Sequence, residues 1–201
     1  MQPKNKHPYL LAMLMTVLSI SFFATESAFA QQGSIMLYGS AGYHNVKDQF
    51  REVHLNPLGV GYQFNNNVIA GGNFVYSRQK NEAGGPAENH YEAGPFYSYG
   101  VQVGEHFVIF GQADAHYQWG NHQTDLSASE DYDGYMLRLY PAVAIGLGHG
   151  WAFKSTFGLA SYGRTKDKDT GHVDRDLNIG LNGSTVGVGV SKNIVFKKRD
   201  S

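Results

Sequence analysis

The chain has 201 residues, of which only 16% are charged, and its formal net charge at pH 7 is −1. A near-neutral chain has no basic field with which to bind nucleic acid, and the absence of cysteine excludes disulfides and thiolate chemistry. Glycine (25 residues), tyrosine (13) and phenylalanine (12) are abundant, which favours a β protein whose surface is not wholly in water.

The first thirty residues have the features of an export signal. Lys4 and Lys6 precede an uncharged run from Tyr9 to Phe23, and AFA follows at 28–30. A basic start, an apolar centre and an A-x-A-like end are typical of a secretory signal peptide. The run is shorter than the roughly 20 residues that a membrane-spanning helix needs. We therefore predict a cleaved signal peptide over 1–30, followed by one domain over 31–196 and a short basic tail at 197–201.

Apolar and polar residues alternate strictly in the rest of the chain, and no helical period is present. In HFVIFGQADAHYQW at 106–119, the positions from Phe107 to Trp119 in steps of two are apolar or small, and the others are mostly polar. Successive side chains of a strand point to opposite faces, so this pattern indicates a strand with two unlike faces. We predict eight strands, over 34–43, 54–64, 67–79, 89–102, 105–121, 133–147, 151–164 and 177–196.

The connectors between these strands alternate in length. Three are short and rich in Asn or Gly: NNN at 65–67, VGE at 103–105 and GHG at 148–150. Asn and Gly tolerate the positive φ angles that tight hairpins require. Short and long connectors in turn predict an up-and-down antiparallel meander, with the tight turns and both termini at one end. Four long polar loops are predicted over 44–53, 80–88, 120–132 and 165–176.

The two faces predict a closed barrel with a polar interior and an exterior in lipid. Closure is expected because hydrocarbon offers no hydrogen-bond partner to an open sheet edge. A soluble lipocalin-like barrel would instead place the apolar row inside. The few charges of the central spans share the polar row, which leaves no strand with a charged solvent face and favours the membrane barrel. Aromatic residues near the strand ends predict two interfacial girdles, comprising Phe107, Tyr117, Trp119, Tyr135, Trp151, Phe153 and Phe196.

The signal, the alternating connectors, the two-residue period and a last strand ending VGVGVSKNIVF at Phe196 resemble one known family. This family is the small eight-stranded outer-membrane β-barrels of Gram-negative bacteria, which includes OmpX and the transmembrane domain of OmpA. The resemblance covers 34–196. It implies an outer-membrane location with periplasmic termini, contact with outer-membrane lipid and lipopolysaccharide, and insertion by the β-barrel assembly machinery, which is thought to read a terminal aromatic residue. The chain departs from that pattern by continuing beyond Phe196.

Charged residues on the polar row point to a closed lumen. Glu92, Asp114, Arg138 and Lys154 fall on that row in strands four to seven. An eight-stranded barrel is just wide enough for side chains to fill, and unpaired charges there are costly. We predict that these four form an ion-pair network with Gln112, His116 and Asn73. The alternative is a narrow, gated path for ions or small solutes.

Catalytic and metal chemistry are weakly indicated. His90 with Glu92, and Asp114 with His116, have spacings that a metal site can use, and DKDTGHVDRD at 167–176 suggests calcium without the full loop pattern. No H-x-S sequence is present, and His122-x-Thr124 is the nearest. We expect no cofactor and no enzymatic activity, with a lipid A-modifying enzyme as the second alternative. The loops are expected to carry a structural or adhesive role at the cell surface.

Overall fold

A computed structural model of the chain describes residues 32–46, 50–81, 87–125, 128–180 and 187–195. The predicted signal peptide, Phe196 and the basic tail lie outside the described residues. In the part that is described, every regular element is a β-strand. No helix in these ranges is long and apolar enough to cross a bilayer.

Ten strand segments form eight antiparallel strands. They are β1 (Ile35–Val46), β2 (Phe50–Gln63), β3 (Val68–Asn81), β4 (Ala87–Val103), β5 (Phe107–Asp125), β6 (Ala128–Gly148), β7a (Trp151–Thr156) with β7b (Leu159–Asp167), and β8a (Val173–Gly180) with β8b (Gly187–Ile194). Each strand pairs with the next, and β8b pairs with β1, with Ile35 opposite Ile194. The predicted eight-stranded, closed up-and-down barrel is therefore confirmed.

The three tight turns and both described chain ends lie at one end of the barrel, which we call the turn end. The turns connect β2 to β3, β4 to β5 and β6 to β7a. Gly104, Gly148 and Gly150 have positive φ angles, as does His149 with φ 53°. Near the amino terminus, the Gly33 N–H donates to Gln63 O over 2.9 Å. The opposite end of the barrel is called the loop end.

At the loop end much of the sequence predicted as loop is strand, so the predicted boundaries of these loops were wrong. The strands continue to Val46 in β1, Asn81 in β3, Asp125 in β5 and Asp167 in β7b, and β6 alone has 21 residues. The polar composition of these segments suggested loops. An antiparallel ladder satisfies the backbone of each added pair of residues whatever side chains they carry, so a hairpin can extend beyond its apolar part.

Two irregularities exchange the inward and outward positions within a strand. In β2 the register shifts between Leu55 and Leu58, around Pro57, which lacks the N–H that a regular ladder would use. In β7 one extra residue is accommodated at Phe157 and Gly158, where glycine has φ 74°. Such bulges bend a strand and change the face on which the following residues lie.

The barrel is polar inside and apolar outside. From Gly111 to Gln118 in β5, every second side chain is buried, and the buried ones are Gln112, Asp114, His116 and Gln118. Among the described residues, thirteen polar or charged residues are buried against six apolar ones. Large apolar residues such as Ile109 (51% exposed) and Leu139 (57%) cover the outside. This arrangement is the opposite of the core of a protein that folds in water.

Candidate functional site

The most densely bonded group in the lumen is the carboxylate of Glu92 on β4, whose side chain is 0% exposed. Arg138 on β6 donates from Nη1 to Oε2 and from Nη2 to Oε1. His90 Nε2 lies 2.6 Å from Oε1, and His116 Nδ1 lies 2.8 Å from Oε2. An ionised carboxylate has about four acceptor sites. All of them are occupied here by protein donors.

The two histidines are oriented by this carboxylate. Because Glu92 can only accept, His90 Nε2 and His116 Nδ1 carry the hydrogens that face it. On its other side His90 Nδ1 lies 2.6 Å from the Tyr132 hydroxyl, and the two rings stack 5.9 Å apart. We call Glu92, His90, His116, Tyr132 and Arg138 the Glu92 layer. It links β4, β5 and β6 through charged hydrogen bonds, which are the stronger kind.

A second set of inward side chains lies nearer the turn end. Lys154 on β7a donates to Gln112 Oε1 over 2.8 Å, and Gln112 Nε2 donates to Asp114 Oδ1 over 2.8 Å. The Tyr140 hydroxyl donates to the other oxygen of Asp114, Oδ2, over 3.2 Å. We call these four residues, together with Tyr38, the Lys154 layer. The carboxylates of Glu92 and Asp114 balance the cations Arg138 and Lys154, so the two layers together carry no formal excess charge when their histidines are neutral.

The ammonium of Lys154 is surrounded mainly by aromatic rings. Its Nζ atom lies 4.7 Å from the ring centre of Phe110, 5.1 Å from Tyr38 and 5.6 Å from Tyr140. Among the described residues, no carboxylate oxygen lies within ion-pair distance of it. The Tyr38 ring packs flat on β2 because position 59 is glycine: a Cβ there would lie 2.1 Å from the ring.

The structure brings together some of the predicted lumen residues and separates others. All six predicted residues (Glu92, Asp114, Arg138, Lys154, Gln112 and His116) lie on inward positions, as does Asn73, which donates to the Tyr38 hydroxyl over 2.8 Å. Arg138 and Glu92 form an ion pair. Asp114 binds Gln112 and Tyr140, and it is not paired with Lys154.

The three tyrosines that complete these layers were not predicted from the sequence. Tyr132 and Tyr140 occupy positions of the same parity as Arg138 on β6, so the two-residue period contained the signal that would have placed them inside. No group of three or more His, Asp or Glu residues in the described ranges is arranged to hold a metal ion. The oxygens of Glu92, the best candidate, are already used by Arg138 and the histidines.

The predicted interfacial aromatic residues lie on the outside of the barrel. Phe107, Tyr117, Tyr135 and Trp151 are 40–53% exposed. Trp119 and Phe153 are partly exposed, and Phe196 lies outside the described residues. Toward the loop end, the Trp119 ring stacks 5.9 Å from Tyr91 and 5.8 Å from Tyr117.

No protein-family model matches this chain, and no curated protein matches it in sequence.

Proposed function

We propose that this protein is an outer-membrane β-barrel of a Gram-negative bacterium, with a structural and surface-interaction role like that of small barrels of the OmpX and OmpA kind. The observation that carries the proposal is the inverted distribution of side chains. Large apolar residues cover the outside of the described strands, while Glu92, Asp114 and Arg138 are enclosed. An apolar outer band with a polar interior is typical of transmembrane barrels. Monomeric proteins in water rarely expose large contiguous apolar surfaces.

The bonding of the lumen favours a scaffold over a pore. An ion passing along the barrel axis would have to separate Arg138 from Glu92 or displace the histidines that bind the same carboxylate. Removing one partner from a buried ion pair costs about 3–5 kcal/mol, so a state in which the pair is separated would be occupied by about 1% of the molecules or fewer. The lumen is therefore proposed to stay closed, and the loop end is proposed to provide contact with lipopolysaccharide or a surface partner.

Unique cysteines test this membrane orientation, because the native chain contains none. Thr170→Cys places a thiol in the exposed turn between β7b and β8a at the loop end. Glu105→Cys is its matched control in the exposed tight turn between β4 and β5. The full-length variants are expressed in a Gram-negative host and exposed to a membrane-impermeant maleimide, before and after the outer membrane is permeabilised.

We expect Thr170→Cys to react in intact cells and Glu105→Cys to react only after permeabilisation. Both proteins should be recovered in the outer-membrane fraction. Recovery of both variants in the soluble fraction would contradict membrane insertion. The reverse labelling pattern would contradict the proposed orientation. Conductance of the purified protein, discussed below, distinguishes the scaffold from the alternative of a narrow pore.

A further inference from the structure

A cavity of about 270 Å³ occupies the lumen between the Lys154 layer and the turn end. Its mouth is formed by the amide side chains of Gln32, Asn66, Asn67 and Gln102, near the tight turns. The space exists because the inward-facing residues of neighbouring strands are small at this level of the barrel. These positions include Ala144 on β6 and Ala152 on β7a. Met36, Ile69, Val108 and Phe110 provide the rest of an apolar wall.

The closed end of the cavity holds a cation with unused hydrogen-bonding capacity. Lys154 lines the cavity, and its ammonium has three donors. One of them is used by Gln112 Oε1, and the aromatic rings described above face the remainder. Cation–π contacts stabilise a buried ammonium, but they do not replace a hydrogen-bonded anion. An anion that enters the cavity would therefore find a desolvated counter-ion at its end.

Two acceptor oxygens nearer the mouth also lack partners. Gln63 and Asn193 line the same cavity, and their buried side-chain oxygens, Gln63 Oε1 and Asn193 Oδ1, accept no hydrogen bond from any described residue. Gln63 donates its own amide hydrogen to Asn65 O, which fixes the orientation of its amide group. Buried acceptors of this kind are usually satisfied by water or by a ligand donor. The cavity thus has polar groups at both ends and an apolar middle.

We propose that this cavity is a binding site for a small monocarboxylate with a compact apolar body, whose carboxylate binds Lys154. Lys154 has no ion-pair partner among the described residues and can pair with one carboxylate, whereas a phosphate dianion would bring a second, unpaired negative charge against an apolar wall. Size gives a second constraint. A dry cavity of about 150 Å³ holds benzene, so 270 Å³ has room for about ten non-hydrogen atoms. The site is independent of the proposed scaffold role, because the same cavity would exist in a barrel placed elsewhere.

Phenylacetate and phenylacetamide make a matched pair of probes, because they share size and shape and differ in charge. Each is titrated into the full-length protein, refolded in lipid nanodiscs, and binding is followed by calorimetry. Phenylacetate is expected to bind saturably, and phenylacetamide roughly tenfold or more weakly, because its neutral carbonyl oxygen can accept from Lys154 but carries no charge to pair with the ammonium. Lys154→Met is expected to lower the affinity for phenylacetate by a similar factor and that for phenylacetamide much less, so that the difference between the two probes largely disappears.

Ala152→Leu provides a second variant that does not touch the charge. It fills the cavity and is expected to abolish binding of both probes. If Lys154→Met does not fold, the proposal is still tested by comparing the two probes on the wild-type protein and by measuring the effect of Ala152→Leu. Equal affinity for the acid and the amide, undiminished binding by Ala152→Leu, or no saturable binding of phenylacetate would overturn the proposal.

Discussion

The two charged layers of the lumen stabilise their buried charges in different ways. The Glu92 carboxylate accepts hydrogen bonds from Arg138, His90 and His116, and all its acceptor sites are used. Among the described residues, the Lys154 ammonium makes one hydrogen bond, to Gln112, and otherwise contacts aromatic rings. A buried charge with complete partners holds a structure together, whereas one without an ion-pair partner adds little stability and is available to a ligand. The layers should therefore respond in opposite ways when a charge is removed.

The largest effect is expected for Arg138→Met. This change keeps an unbranched apolar stem and leaves the Glu92 carboxylate buried without its guanidinium. The free energy of unfolding should fall by about 3–5 kcal/mol, measured by urea titration of the protein refolded in liposomes. Adding Glu92→Gln to the same chain should recover more than half of the loss, because the buried charge is then absent. If Arg138→Met alone is as stable as the wild type, the stabilising role of the Glu92 layer is contradicted.

A charge on the outer face should have the next largest effect. Leu139 is 57% exposed on the outside of β6, well away from both ends of the strand. In a bilayer, Leu139→Lys should destabilise the protein by about 2–4 kcal/mol, and Val103→Lys, at the turn end of β4, by about 0–1 kcal/mol. The same urea titration compares them. If both substitutions are neutral in liposomes, the outer face does not lie in hydrocarbon.

Lys154→Met should have a smaller effect on stability. It removes a buried cation that has no ion-pair partner among the described residues, and replaces it with an apolar chain of similar volume. The free energy of unfolding should change by about 1 kcal/mol or less, or rise. A loss as large as that of Arg138→Met would show that the two layers are equivalent and would remove the contrast between them.

The smallest effect concerns the exposed turn after β7b. Asp167 Oδ1 accepts from the backbone N–H groups of Thr170 (2.7 Å) and Asp169 (2.8 Å). These bonds favour the charged form and hold the pKa of Asp167 below its usual value. Their contribution to the stability of the turn is fully present above the unfolded-state pKa of Asp167 and is lost as the pH falls through its folded-state pKa. Hydrogen exchange at Asp169 and Thr170, corrected for intrinsic rates, should accelerate over that range, and Asp167→Asn should remove the dependence.

The alternation of side chains was sufficient to predict the barrel, but not the details of the lumen. The period of two predicted that Glu92 and Arg138 lie on the same face. The short Asn- and Gly-rich connectors predicted which end of the barrel holds the tight turns. The exchange of faces at Pro57 and Gly158 depends on bulges, which the period alone does not locate. The pairing of Arg138 with Glu92 rather than Asp114, its direct neighbour in the register, depends on side-chain reach across β5.

Single-channel recording tests most directly whether the Glu92 layer closes the lumen. The chain is refolded into a planar bilayer after heat-dependent gel migration confirms a folded barrel. If the lumen is closed, we expect no conductance above that of the bare membrane over a range of voltages. Steady openings whose size scales with salt concentration would contradict it, and would show that ions pass the Arg138–Glu92 pair.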